Sequence, residues 1–338
     1  MEYVKSRYLH EEKVMATSGE QWDARIGRRI RLRDLHVLLT VVQRGSMAKA
    51  AQNLSVTQSA VSKSIADLEH ALGVRLLDRS PLGVEPTPFG TALVRRGMTA
   101  FDELRQGVGE IEFMADPRAG EVRLGCPETL AATLLPAVVE RLSNEYPGIR
   151  LYVAQTNPLT LEIRELRDRN VDLLLGRLGP PFTEEDLNAE ILYHDPLVVV
   201  AGAESRWARR RSLELAELVG EKWILYPPKQ IPGSVIEDAF RRRGLSLPRT
   251  SIITYSFQLR DMLLMTGNYL SIVAASAVPI FNAKRVTVKA LPVDLGPQAK
   301  ARPVAIFTLR NRTLSPVTEL FIGCVRAVAK GIASQSKR

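Results

Sequence analysis

Cysteine and histidine are scarce in this chain. Two cysteines, Cys126 and Cys324, and four histidines, His10, His36, His70 and His194, are scattered over 338 residues. Cysteines so far apart give neither a disulfide framework nor a paired metal-ligand spacing. No His-Glu-x-x-His, phosphate loop or Gly-x-Ser-x-Gly elbow occurs, which argues against the common zinc, nucleotide and serine-nucleophile chemistries. Gly107-Val108-Gly109 has no strand before it and is no dinucleotide site. Cys126 reads as a packing residue at a strand end, because no histidine lies near it to activate a thiolate. No catalytic residue, metal ligand or cofactor site is assigned.

Long apolar runs are missing too. Candidates such as Leu197–Ala203 fall short of the roughly 18 residues that a membrane span needs and read as buried strands. The first residues, MEYVKSRYLHEEKV, carry acids where an export signal would have an apolar core. A cytoplasmic protein without a membrane partner is expected, and a reducing compartment suits its cysteines.

What is present is an ordinary globular composition, 45% apolar and 25% charged, with length for two domains. Forty-six basic residues against 37 acidic ones give a formal charge of +9. That excess hints at a polyanionic partner, yet most of it lies beyond residue 118. Residues 1–118 carry 17 bases and 15 acids; residues 119–338 carry 29 and 22. The informative window is Ala24–Lys63, with eight bases and one acid.

Residues 1–23 lack an apolar period and read as a flexible arm or start-site extension, with Met15 a possible internal start. Leu35, Leu38, Leu39 and Val42 then recur at helical spacing, and Gly45 stops that helix. Ser46 caps a short helix over Met47–Asn53. Leu54-Ser55-Val56 makes a turn, Thr57 caps a third helix with Val61, Ile65, Leu68 and Leu72 on one face, and Gly73 ends it. Val74–Thr87 reads as a two-stranded wing around Ser80-Pro81-Leu82-Gly83. Ala50 and Ala51 let the second and third helices approach closely. The outer face of the third helix shows Gln58, Ser59, Ser62, Lys63 and Asp67, short groups near a helix start that suit base edges and phosphates in a major groove. Asp67 is read as solvated.

These residues carry a family resemblance. GSMAKAAQNLSVTQSAVSKSIADLEHALGVRLLDRS, Gly45–Ser80, resembles the N-terminal signature of LysR-type transcriptional regulators. The resemblance implies an α/β protein with an N-terminal all-α winged helix-turn-helix, a linker helix and a two-lobed, periplasmic-binding-protein-like effector domain. The expected parts are an extension over 1–31, a DNA-binding domain over 32–87, a linker helix over 88–115 and the effector domain over 120–338. It also implies base-reading positions at Gln58, Ser59, Ser62 and Lys63, with phosphate contacts from wing residues Arg75 and Arg79. Ser46 and Thr57, the two caps, complete the DNA-facing set. Ser59 stands where the family commonly has proline. Lys63 replaces a common arginine, so the bidentate fork for guanine is absent.

Thr87-Pro88 opens the linker helix. Val94, Gly97, Phe101, Leu104, Val108, Ile111 and Ala115 alternate at three and four residues, a seam that can pair two helices; packing on its own domain is the alternative. Asp116–Gly120 reads as a hinge. Strands and helices then alternate, which implies mostly parallel sheets: strands at Val122–Cys126, Arg150–Ala154 and Asp172–Gly176, with helices over about Leu130–Tyr146 and Leu159–Arg169. The rhythm continues to a C-terminal helix from Pro316. In such a fold, ligands sit beyond strand ends at helix starts. That rule selects Pro127, Thr129, Thr156, Asn157, Arg177, Pro228, Gln230, Ser256 and Phe257 as effector-facing, although several of these residue types also serve as plain helix caps. Pro127 stands where the family often has serine. Arg177 is placed to meet a carboxylate, so an anionic effector is expected.

The expected partners are double-stranded DNA with an interrupted dyad, a small effector, and further copies of the chain as a homodimer or homotetramer. A small-molecule-binding protein whose helix-turn-helix only mediates assembly, and an enzyme built on the α/β domain, are the alternatives.

Overall fold

The computed structural model describes residues 29–80, 83–156, 163–179, 182–227, 232–248, 251–283, 287–300 and 302–335. The extension over 1–28, the wing tip Pro81-Leu82, Asn157, Pro228 and Gln230 lie outside them. The chain divides into two compact units, 1–103 and 104–338.

The first unit holds helices α1 (Leu32–Arg44), α2 (Met47–Asn53) and α3 (Gln58–Leu72) and a hairpin, β1 (Leu77–Ser80) with β2 (Gly83–Pro86). Gly45 and Gly73 end α1 and α3 at φ 64° and 72°, left-handed geometry that glycine adopts freely. Ser55 turns the chain at φ 54°. The apolar faces of the three helices meet in one core, in which Leu38, Val41, Ala50, Val61, Ile65 and Leu68 are fully buried.

Helix α4 (Pro88–Ala115) spans the boundary of the two units. Its apolar seam divides. Val94 and Phe101 pack on the first unit's core, and a side chain on Gly97 would strike Leu35 at 2.9 Å. This half follows the packing alternative. Leu104, Val108 and Ile111 are instead 49%, 55% and 67% exposed, which leaves an apolar stripe on the second half.

The second unit holds β3 (Ala119–Cys126), α5 (Glu128–Thr133), α6 (Leu135–Glu145), β4 (Gly148–Gln155), α7 (Ile163–Arg167), β5 (Leu173–Arg177) and β6 (Leu187–Tyr193). There follow β7 (Leu197–Gly202), β8 (Lys222–Leu225), α8 (Gly233–Arg242), β9 (Ser251–Ile253), α9 (Phe257–Met265), β10 (Tyr269–Ala274) and α10 (Val278–Ala283). The last elements are β11 (Val288–Ala290), β12 (Val304–Leu309) and α11 (Pro316–Gln335). Two five-stranded sheets result, in the orders β4-β3-β5-β12-β6 and β11-β7-β10-β8-β9. Each is a lobe with a packed core. The chain crosses between lobes from β6 to β7 and returns from β11 to β12.

Four expectations need correction. Each sheet mixes two parallel and two antiparallel pairings, because β12 and β7 run against their neighbours; the sheets are not mostly parallel. The helix expected over about Leu130–Tyr146 is two helices, since Pro136 has no N–H to continue the ladder. The hinge shortens, because Ala119 and Gly120 already pair in β3. Strand β6 escaped the reading: it is an edge strand in which polar Asn188 and Glu190 interrupt the apolar residues. Of the helix expected over Leu159–Arg169, α7 lies within the described residues.

One buried acid ties the first lobe together. Asp172, 5% exposed, accepts from the backbone N–H of Arg123 (2.8 Å), from Arg123 Nη2 (2.9 Å) and from Arg312 Nη2 (2.7 Å). Arg105 of α4 stands 3.8 Å away. Arg312 also donates to the Val171 carbonyl. Asp172→Ala would remove the buried acid to which Arg123 and Arg312 both donate. It is expected to cost about 3–5 kcal/mol, read by urea unfolding; a loss below about 1 kcal/mol would count against this role.

Candidate DNA interface and effector cleft

The two capping residues of the first unit hold helix starts. Ser46 Oγ accepts from the Lys49 N–H (3.5 Å) and Thr57 Oγ1 from the Ala60 N–H (3.2 Å). Thr57 Oγ1 also lies 3.0 Å from Ser59 Oγ. Gln58, Ser59 and Lys63 are exposed on the first turns of α3 and Ser62 is half-buried, so all four share one accessible face. Asp67 is also exposed, farther along the helix. Arg75 and Arg79 are exposed at the wing. His36 is exposed and tilts against Phe101, ring centres 5.5 Å apart.

Two polar clasps fix the wing against α3 and α4. Glu69 Oε1 accepts from the backbone N–H groups of Leu76 (2.8 Å) and Leu77 (3.3 Å). Buried Thr87 donates to the Arg75 carbonyl (2.8 Å) and accepts from the Gly90 N–H (3.0 Å). A Cβ on Gly90 would fall 2.0 Å from the Leu76 carbonyl oxygen, so glycine is required for that approach. In the sequence Glu69 stands within the motif and Thr87 at a helix start, but their partners Leu76, Leu77 and Arg75 carry no local signal.

In the second unit the ends of β3 and β4 come together: the Thr156 N–H donates to the Cys126 carbonyl at 3.1 Å. Pro127 precedes α5 in extended geometry, Thr129 is half-buried and Thr156 is buried. Gln155 Nε2 donates to Glu128 across these ends. In the other lobe, Ser256 caps α9 by accepting from the Leu259 N–H at 3.2 Å. Phe257 lies under the guanidinium of Arg260, 4.3 Å from its ring centre, and Phe281 lies 5.1 Å from it. Arg260 donates to the buried Tyr226 hydroxyl (2.6 Å) and pairs with Asp261 (3.0 Å). This Tyr226–Arg260–Asp261 cluster was missed, because Arg260 sits inside an apolar helical period.

Arg177 is corrected. Its guanidinium meets a carboxylate of its own chain: Nη2 donates to Asp195 Oδ2 (2.9 Å), and Nη1 to the carbonyls of Asp195 (2.6 Å) and Arg302 (3.1 Å). Asp195 also accepts from the N–H and hydroxyl of Ser276, at 3.0 and 2.8 Å. The charge expected to hold an effector is neutralised in a buried staple. Asp195 lies between two strands in the segment His194-Asp195-Pro196, which carries no motif.

Two family profiles match the chain: "Bacterial regulatory helix-turn-helix protein, lysR family" over residues 32–91 and "LysR substrate binding domain" over residues 115–330. The chain belongs to the LysR family.

Relatives of this LysR-family chain include the HTH-type transcriptional regulator GbpR of Azospirillum brasilense, 26% identical over 89% of this chain and 87% of that protein. The transcriptional dual regulator GltC of Bacillus subtilis is 29% identical over 84% and 93%. Among solved structures, a full-length OxyR variant from Pseudomonas aeruginosa superposes with TM-score 0.65 at 22% identity, over 89% of this chain and 95% of that one. Full-length CbnR complexed with its target DNA gives 0.50 at 21%, over 89% and 100%. The protein is thus a DNA-binding transcriptional regulator with an effector-binding domain, in a family of regulators rather than enzymes. Among the described residues no helix is long and apolar enough to cross a membrane.

Burial pushes the Cys126 thiol up to about 12 and raises that of Cys324. Both thiols are buried and protonated at neutral pH. In the native protein neither is expected to react with an aromatic disulfide reagent at pH 7, and both are expected to react once denatured. Fast labelling of either cysteine in the folded state would contradict their burial.

Proposed function

We propose that the exposed start of α3 reads base edges through Gln58, Ser59, Ser62 and Lys63. Around it, Ser46, Thr57, Arg75 and Arg79 hold phosphates. The observation that carries this reading is the common accessible face of these α3 residues, flanked by basic wing residues. Glutamine suits adenine and lysine supplies a point charge. Two such units in a homo-oligomer would read an interrupted dyad, because two-fold protein symmetry is mirrored in the operator. The exposed stripe Leu104, Val108 and Ile111 supports pairing through the second half of α4.

The effector sits between the lobes of the second unit, facing Pro127, Thr129, Thr156, Asn157, Pro228, Gln230, Ser256 and Phe257. The support is the meeting of the β3 and β4 ends beside the start of α5 in one lobe and the capped start of α9 in the other. A ligand that binds one lobe arrangement better shifts the population of oligomer states, and with it the spacing or bend of the bound DNA. The protein works in the cytoplasm on its own operator.

A footprint on the adjacent promoter, with and without candidate metabolites, tests the whole reading. Gln58→Ala is expected to cost about 1–3 kcal/mol at the operator and relax base preference there, whereas Arg79→Ala weakens all sequences alike and lowers the salt slope by about 1. No salt-dependent specific complex at low salt would refute the DNA reading. Replacing Val108 and Ile111 by glutamate is expected to reduce the oligomeric mass seen by sedimentation; an unchanged mass would rule out the α4 stripe as the pairing surface.

A further inference from the structure

Arg302 lies on the return crossing, just before β12. Arg177 holds its carbonyl, so the backbone here is fixed by the same staple that ties the outward crossing. Two observations place its guanidinium between the lobes. A Cβ on Gly179, in the segment leaving β5, would lie 3.5 Å from Arg302 Nη1. Asp238 of α8, in the second lobe, acts on it electrostatically.

This cation is not balanced. Its Nε is buried with no hydrogen-bond partner among the described residues. Asp238 is already engaged by Arg242 (2.6 Å) and Arg241 (3.6 Å). Burial pushes the Arg302 guanidinium below its ordinary range, the mark of a charge removed from water without repayment. Among the described residues no carboxylate forms an ion pair with it. An unpaired, partly desolvated arginine is costly, and a ligand anion relieves that cost.

We infer that Arg302 reads the negative charge of the effector, with the Arg177–Asp195 staple as its positioning device. The inference rests on the reading that an effector binds between the lobes. The ligand class is a small organic acid or another oxyanion that takes paired N–H donors from the guanidinium fork. Arg177, whose charge is paired with Asp195, sets the position of Arg302 through its carbonyl.

Thermal unfolding of the full chain tests this. The probes are sodium malonate, sodium benzoate and inorganic phosphate, exchanged for chloride at constant ionic strength, beside the neutral compounds malonamide and benzamide. At least one anion is expected to raise the wild-type Tm. Arg302→Gln is expected to raise Tm in chloride by about 2–4 °C, because it removes an unpaid charge. It is also expected to abolish the anion-dependent rise, with binding weakened about 10- to 100-fold. Arg302→Lys should keep part of that rise. A lower Tm of Arg302→Gln in chloride, rescued by Arg302→Lys, would mean that the residue is structural. An equal anion effect in wild type and Arg302→Gln, or a response to the amides alone, would overturn the inference while leaving the effector cleft standing. No rise from any probe would remove the cleft reading and this inference with it.

Discussion

The second unit depends on one ion pair placed where its two lobes are joined. Asp195 and Arg302 stand on the two chain crossings, and the Arg177 guanidinium binds both. Ser276 then ties Asp195 to the strand-end turn of the second lobe. All five bonds lie at positions from which water is largely excluded, where a charged pair is strong only when its hydrogen bonds are complete. The two crossings are thereby held to each other and to a strand end of the second lobe at one place.

The first unit solves a different problem: aiming a short helix. Thr57 fixes the start of α3, and Glu69, near its end, anchors the wing strand through two backbone N–H groups. Thr87 then joins the wing to α4. Each clasp uses backbone donors or acceptors that would otherwise be left unpaired at an element end. Gln58 and Lys63, on the outer face of α3, take no part in these clasps and stay exposed.

Local signals were the legible ones. Gly45, Ser46, Thr57, Gly73 and Pro88 mark helix ends by their own backbone chemistry, and the structure has its helix ends there. Strand β6 was not legible, since an antiparallel edge strand with polar positions looks like a loop. The direction of β12 is set by the chain's return from the other lobe, which no local pattern encodes. The same holds for the site. The face of α3 follows from helical spacing alone. Arg177 looked like a ligand residue because its partner Asp195 is 18 positions away in a segment without a motif, and Arg302 went unnoticed because only its unpaired state in the fold distinguishes it.

Helix α4 bears on how the protein can be divided. Arg105 reaches toward Asp172, and Phe113 packs on the first lobe's core. The last turns of this helix thus belong physically to the effector-binding unit, although they precede its first strand. A fragment cut at residue 115 would lose an arginine from the buried acid and a ring from the core. A self-sufficient effector fragment has to begin ahead of Arg105, and a transplant of this sensor onto another DNA-binding head should carry those turns with it.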